Sequence, residues 1–383
     1  MKLHSQWLFY FNEKNEQMKI GQIISVLEKK APLAYQESYD NAGLITGNQH
    51  MDCTGILCTL DITEDILQEA IHKNCNLIVA HHPIIFKGLT KINGENYVER
   101  IVINAIKNDI GIYAIHTNLD NVSDGVNHAI AQQLGLIDTR ILSPQKNGLV
   151  KLVSFVPLDF VEKVKNALFE AGAGNIGEYS ETSFSSEGVG SFKGSERSNP
   201  VIGQRGKRES VKEARVEVIL PAYLEASVLN ALKKSHPYEE VAYDFYSLNN
   251  ENQLVGSGMI GNLPEAISPT EFLQLLKAKF GLSVIKHSPI IQEKVQKIAF
   301  CGGSGSFLIP LAKTFKADFF VSADIKYHDF FEADNQLVIA DIGHWESEQY
   351  TVDLVFAELT AKFPNFAVLK TANITNPVRY FLG

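Results

Sequence analysis

Residues 54–82 read TGILCTLDITEDILQEAIHKNCNLIVAHH. A β-branched run, Thr54 to Asp61, leads into ITEDILQEAIHKN, in which Ile66, Leu67, Ala70 and Ile71 mark one helix face. A second apolar run, Cys75 to His82, follows. Strand, helix and strand within about thirty residues make a βαβ unit. The two strands are therefore expected to be parallel and buried on both faces. IGIYAIHTNLD (Ile110 to Asp120) adds a third run, and the stretch from Met18 to about Asp138 reads as an α/β layer architecture.

The same style returns from about Gly256, in KIAFCGGSGS (Lys297 to Ser306), ADFFVSAD (Ala317 to Asp324) and QLVIADIGH (Gln336 to His344). Between the halves the chain changes character. KLVSFVPLDFVEKVKNALFEAGAG and ARVEVILPAYLEASVLNALKKSHPYEE each read as strand, proline, amphipathic helix, an internal duplication. Two such halves suggest a ferredoxin-like split βαβ domain. Its segment from Ser180 to Pro200 is rich in Ser and Gly and reads as a mobile turn or extended hairpin.

The expected organisation is a two-lobed α/β core with parallel-rich sheets, interrupted by a ferredoxin-like α+β insert. Residues 18–147 form the first lobe, 148–250 the insert and 251–383 the second lobe. Residues 1–17 read as a loose extension ahead of Met18, an upstream start with no role in the fold.

At 383 residues, 45% hydrophobic and 21% charged, the chain is too long for one compact core. A formal charge of −9 argues against a polyanion partner such as nucleic acid. Cys53, Cys58, Cys75 and Cys301 are too irregularly spaced for a disulfide framework or a zinc ribbon, and read as buried thiols of a cytoplasmic protein. No apolar run approaches the roughly 18 residues of a membrane helix.

Run after run ends in a residue suited to ligation or catalysis: Asp61, His81 and His82, His116 and Asp120, Asp324, Asp341 and His344. In open parallel sheets ligands bind outside the carboxyl ends of the strands. His81 and His82 sit side by side ahead of Pro83, whose predecessor is confined to extended or polyproline angles. Once the backbone leaves the pleat there, both imidazoles can face one cavity, each holding a different ion of a pair. In GHWESE, His344 and Glu348 are four apart, which places them on one helix face, with Glu346 the weaker candidate. The inward face of that helix is expected to be Val352, Val355, Phe356 and Leu359.

Nitrogen and oxygen donors without thiolate suit Zn, Mn, Fe or Ni. A dinuclear centre with ions roughly 3.5–4 Å apart implies hydrolysis. Plainer readings stand beside this one: Asp61 as a helix cap, Asp120 as a turn residue, Glu348 as a first-turn acid, and His236 and His328 as ordinary surface or core histidines. CGGSGS lacks the third glycine of a dinucleotide fingerprint and the lysine of a P-loop, so a tight strand-to-helix turn is at least as good a reading as a phosphate cradle.

ESYDNAGLITG (Glu37 to Gly47), LIVAHHPIIFKGL, IHTNLD, FCGGSGS, SADIKYHD and GHWESE, in this order, resemble the GTP cyclohydrolase 1 type 2 homologues, also called NGG-interacting-factor-like proteins. The chain also resembles the longer bacterial subgroup with a PII- or CutA-like insert. Tyr39 and Ala42 stand where tryptophan and valine are common. The resemblance implies two divalent metal ions, with His81, His82, Asp120, His344 and Glu348 as ligands, and Asp61 and His116 near the site. It also implies a ring-like homohexamer, a trimer of dimers with its metal clefts facing an internal cavity.

The family name implies opening of the GTP purine ring by water attack at C8. The expected function is therefore a metal-dependent hydrolase acting on GTP or another nucleotide-like or phosphorylated small molecule. The alternative is a non-catalytic metal-bound regulatory ring whose insert senses a ligand or partner. Lys326, His328 and His116 all remain open as the acid or base.

Overall fold

The structure, a computed structural model, describes residues 18–381, so the expected extension over 1–17 lies outside the described residues. It divides into two compact units, one of Met1–Leu119 with Glu348–Gly383 and one of Asp120–Ser347. Among the described residues no helix is long and apolar enough to cross a membrane.

The first unit begins with α1 (Ile20–Lys30), which buries Ile20, Ile23, Ile24 and Leu27. There follow β1 (Gly43–Thr46), β2 (Ile56–Thr59), α2 (Glu64–His72), β3 (Leu77–Ala80), α3 (Tyr97–Lys107), β4 (Gly111–Ala114) and the single turn α4 (Thr117–Asp120). Strands β2, β3 and β4 are parallel, with Ile56 opposite Leu77 and Leu77 opposite Gly111, and every residue in them is buried. Burial on both faces explains why these runs are continuously apolar rather than alternating. Leu57, Ile78 and Ile112 pack with Ile66 and Ala70 of α2 and Ile101 and Ala105 of α3. Thr63, not Asp61, caps α2, its side chain accepting the Ile66 amide at 3.3 Å.

In the second unit α5 (Val126–Leu134) leads to β5 (Ile137–Gln145), and the chain then runs through β6 (Leu149–Pro157), α6 (Val161–Glu170), β7 (Phe184–Lys193), β8 (Arg208–Pro221), α7 (Glu225–Ser235) and β9 (Tyr243–Leu248). These four strands form an antiparallel sheet in the order β7-β8-β6-β9. The duplication is visible in the backbone. Pro157 (φ −53°, ψ 138°) and Pro221 (φ −60°, ψ 137°) each end a strand and open a short 3-10 turn before a helix. Both helices cover one sheet face, Val164 and Leu168 of α6 and Val228 and Leu232 of α7 packing on Leu152, Val156, Val216 and Val218.

After this segment come β10 (Asn252–Ile267), α8 (Pro269–Phe280), β11 (Lys286–His287), β12 (Val295–Ser304), α9 (Ile309–Thr314), β13 (Phe319–Ala323), β14 (Val338–Asp341) and α10 (His344–Glu348). A six-stranded sheet in the order β11-β14-β13-β12-β10-β5 results, parallel across β12, β13 and β14. Gln145 of β5 lies opposite Asn252 of β10, so residues 146–251 leave and rejoin this sheet at neighbouring positions.

The chain returns to the first unit through α11 (Thr351–Lys362) and β15 (Val368–Lys370), which adds to β2 in parallel with Val368 opposite Ile56. The first sheet is thereby β1-β4-β3-β2-β15. The compact units thus differ from the sequence boundaries at two places. Residues 120–147 join the second unit because β5 pairs with β10, and residues 348–383 join the first because β15 pairs with β2. Neither pairing leaves a local trace in the sequence. The single helix expected after Gly343 is also two: a turn at Gln349 and Tyr350 separates α10 from α11, whose buried face is Thr351, Val355 and Leu359.

Candidate metal centre

In the first unit, β2, β3 and β4 stop at Thr59, Ala80 and Ala114, and one or two residues later the chain presents Asp61, His81 with His82, and His116. Because β3 ends at Ala80, His81 and His82 lie outside the pleat. Their rings gather with that of His116, at centroid separations of 4.9 Å for His81 and His82 and 5.3 Å from each to His116. One ligand nitrogen from each ring lies within 4.8 Å of the others.

Each of these rings is held at Nδ1 by an oxygen acceptor. His81 Nδ1 is 2.8 Å from the Ile115 carbonyl, His82 Nδ1 is 2.7 Å from Asp61 Oδ1, and His116 Nδ1 is 2.7 Å from Asp40 Oδ1. An acceptor at Nδ1 places the proton there and leaves the Nε2 lone pair for a cation, the arrangement typical of metal-ligating histidines. The acceptors are anchored in turn. Asp61 Oδ2 accepts the Thr375 hydroxyl at 2.6 Å, and Asp40 Oδ2 accepts the hydroxyl and the amide of Thr117.

Glu348 brings a carboxylate to the same place, its Oε2 3.0 Å from His82 Nε2 and 3.9 Å from His81 Nε2. Glu348 and His81 are nearly inaccessible, at 3% and 1% exposure. Burial works against a charged His82, but Asp61 and Glu348 outweigh it and raise its pKa to about 9. Asp40, which burial pushes upward, is held at about 2 by His116 and Thr117. The cluster therefore favours a positive charge between its carboxylates. Three imidazoles and a carboxylate without thiolate are a donor set that fits a borderline divalent ion. The four cysteines are buried elsewhere in the chain.

Of the residues singled out from the sequence, His81, His82 and Glu348 come together in the first unit. Asp120 closes α4 and belongs to the second unit, its carbonyl accepting from Asn127 at 3.1 Å. His344 heads α10, also in the second unit, with Nδ1 2.6 Å from Asp324 Oδ2, which repeats the imidazole and carboxylate pairing of His82 and His116. Asp341 is structural: it accepts the amides of Ile325 and Gly343 and pairs with Lys286 at 2.6 Å.

His236 is a core histidine, its Nε2 3.0 Å from the Phe155 carbonyl, whereas Lys326 and His328 are exposed in the second unit. CGGSGS makes a tight turn. Gly302 and Gly303 donate their amides to Asn127 and Ser347, each at 3.0 Å, and a Cβ on Gly305 would sit 2.5 Å from Ser322 Oγ. Sequence reasoning underweighted His116, although its place after β4 matches that of His81 after β3. It missed Asp40 and Thr375, which nothing local marks.

Comparison with known proteins agrees with this architecture. The chain is 39% identical over 342 residues to a Bacillus subtilis protein named GTP cyclohydrolase 1 type 2 homolog, spanning 89% of this chain and 91% of that one. Its fold is similar to that of a Bacillus cereus protein related to NIF3, with a TM-score of 0.83 and 36% identity over 96% of this chain and all of the other. A Staphylococcus aureus protein superposes with a TM-score of 0.75 at 30% identity, covering 95% of this chain and 99% of its own. The family model for Duf34/NIF3 (NGG1p interacting factor 3) matches residues 18–377, and the chain belongs to that family.

Proposed function

We propose that this protein is a metal-dependent hydrolase acting on a nucleotide-like or otherwise phosphorylated small molecule, with GTP the substrate suggested by the name of its relatives. The observation that carries this reading is the common tethering of His81, His82 and His116 at Nδ1, beside the buried carboxylate of Glu348. A bound divalent ion would supply Lewis acidity and a water of lowered pKa. With an ion in place of the Nε2 proton, the protein's share is to hold each imidazole in one orientation, with its remaining proton on Nδ1. Asp61 and Asp40 do this by accepting the Nδ1 proton, and the Ile115 carbonyl does so for His81.

The proposed ligands are His81, His82, Asp120, His344 and Glu348, shared by two ions drawn from Zn, Mn, Fe or Ni. Asp120 and His344 rest on the family likeness, supported for His344 by its tethering to Asp324. The segment from β6 to β9 is read as the ferredoxin-like, PII- or CutA-like insert, supported by its strand order and by both helices lying on one face. A cytoplasmic homohexamer, a trimer of dimers, is the assembly that the family likeness suggests.

Elemental analysis of purified protein tests the centre. Two ions per chain are expected, with His82→Ala, His344→Ala and Glu348→Ala each losing at least one; unchanged content in all three would overturn the assignment. Incubation of metal-loaded protein with GTP and a panel of nucleotides and phosphoesters tests the reaction, and turnover should disappear in His82→Ala. Intact metal with no turnover of any compound would replace the hydrolase with the regulatory reading.

A further inference from the structure

We propose that the helix-free face of the four-stranded sheet carries a second binding site, for a small flat organic cation with an aromatic ring and an amidine- or amine-type head, with Glu213 as its counter-ion. This goes beyond the metal centre and does not depend on it. A cavity of about 760 Å³ lies there, well within the range of small-molecule sites.

The Ser- and Gly-rich stretch noted in the sequence forms one wall. In the register of β7 against β8, Ser186 stands opposite Arg215, Gly188 opposite Glu213 and Gly190 opposite Val211, and Arg215 in turn faces Phe155 of β6. Those positions point away from the face covered by α6 and α7, which is built from Leu152, Val156, Ala214, Val216 and Val218. Small residues on β7 therefore open the space. A Cβ on Gly190 would collide with the Glu213 carboxylate, whereas one on Gly188 would meet nothing within 4 Å. The loops close over it, the Asn199 amide donating to Glu239 Oε1 at 2.8 Å.

Glu213 is only 8% exposed, and among the described residues its one hydrogen-bond donor is the Tyr238 hydroxyl, at 2.9 Å. A carboxylate taken out of water to this extent is costly without a compensating charge. Two chain cations, Lys193 and Arg215, line the cavity, but among the described residues neither pairs with Glu213: Arg215 is turned to Glu217 at 2.8 Å, and Glu187, Glu239 and Glu240 add further negative charge, so carboxylates outnumber the cations in the lining. The remaining walls are aromatic and aliphatic, with the rings of Phe192 and Tyr238 5.7 Å apart and Phe155 on the sheet beneath. Ring faces attract organic cations. Calcium or magnesium would require a shell of six or more oxygens, which ring faces cannot offer.

Saturation-transfer NMR on the full chain tests the site, with benzamidine as the cationic probe and benzoate as its anionic counterpart. Benzamidine should bind saturably and benzoate should not. Glu213→Gln should weaken benzamidine about tenfold or more, and Gly188→Leu, whose Cβ meets no atom within 4 Å and whose side chain fills the cavity, should abolish binding. Circular dichroism reports on folding of each variant, and either variant alone suffices if the other fails to fold. Equal binding of benzoate, no saturable binding of benzamidine, or unchanged affinity in a folded variant would each overturn the proposal.

Discussion

Asp61 holds His82 from behind: its Oδ1 lies 2.7 Å from His82 Nδ1 while its Oδ2 accepts the Thr375 hydroxyl at 2.6 Å. The two residues are 21 positions apart, one past the end of β2 and the other past the end of β3, and Thr375 comes from the far end of the chain. A strand terminus thus supplies the ligand, a neighbouring terminus its orienting acid, and the C-terminal segment fixes the acid.

Asp61→Asn should keep the fold and weaken the site. An amide can turn either its oxygen or its NH2 toward Nδ1, so the tautomer of His82 is no longer specified. Metal affinity is expected to fall about 10- to 100-fold, the usual effect of removing such a partner. Competition titration against a chelating dye measures it, and an unchanged affinity would remove Asp61 from the centre.

His116→Ala separates a ligand from a neighbour. The family likeness leaves His116 outside the ligand set, yet its ring nitrogen shares the cluster of His81 and His82. Loss of an ion on elemental analysis would make it a ligand; full metal content with altered turnover would make it an acid or base.

Glu69 ties the C-terminal segment to α2. It accepts from the Thr371 hydroxyl at 2.5 Å, the Ala372 amide at 2.9 Å and the Asn373 side chain at 2.7 Å, and pairs with Lys73 at 2.6 Å. Burial works to raise its pKa, but Lys73 and these donors prevail and lower it from 4.5 to about 2. A folded pKa below the unfolded one adds stability that is fully present above about 4.5 and is lost as the pH falls toward 2. Glu69→Gln should cost about 1–2 kcal/mol near neutrality, in the range of hydrogen bonds to a charged group. Urea unfolding at a series of pH values should show the gap between wild type and variant closing in that acidic window, and a gap independent of pH would refute the argument.

Gly47 lies at φ +90°, and a Cβ there would stand 2.8 Å from the Gly111 Cα. Gly47→Ala therefore combines backbone strain with a clash against β4. We expect a loss of about 1–3 kcal/mol, the range of such strained positions, read as a lower urea midpoint with the slope unchanged.

Much of the fold was legible because its signals are local. The βαβ unit of residues 54–82 shows in its spacing, and Ile66, Leu67 and Ala70 are buried on the predicted face of α2. The duplicated strand, proline and helix announced the four-stranded sheet. The strand-end histidines were legible for the same reason: β3 is continuously apolar up to Ala80 and polar immediately after.

Sequence by itself determined the α/β class, the duplicated segment, and the placing of His81, His82 and His116 just past the ends of parallel strands, since each depends on periodicity or adjacency along the chain. Tertiary structure alone decided that β15 completes the first sheet beside β2, that β5 and β10 meet across the intervening segment, and that Asp40, Asp61 and Thr375 fix the imidazoles. Those contacts join residues 21 to 314 positions apart, and a hydrogen bond over such a distance is chosen by how the packed sheets bring the backbone together, not by any pattern in the neighbouring residues.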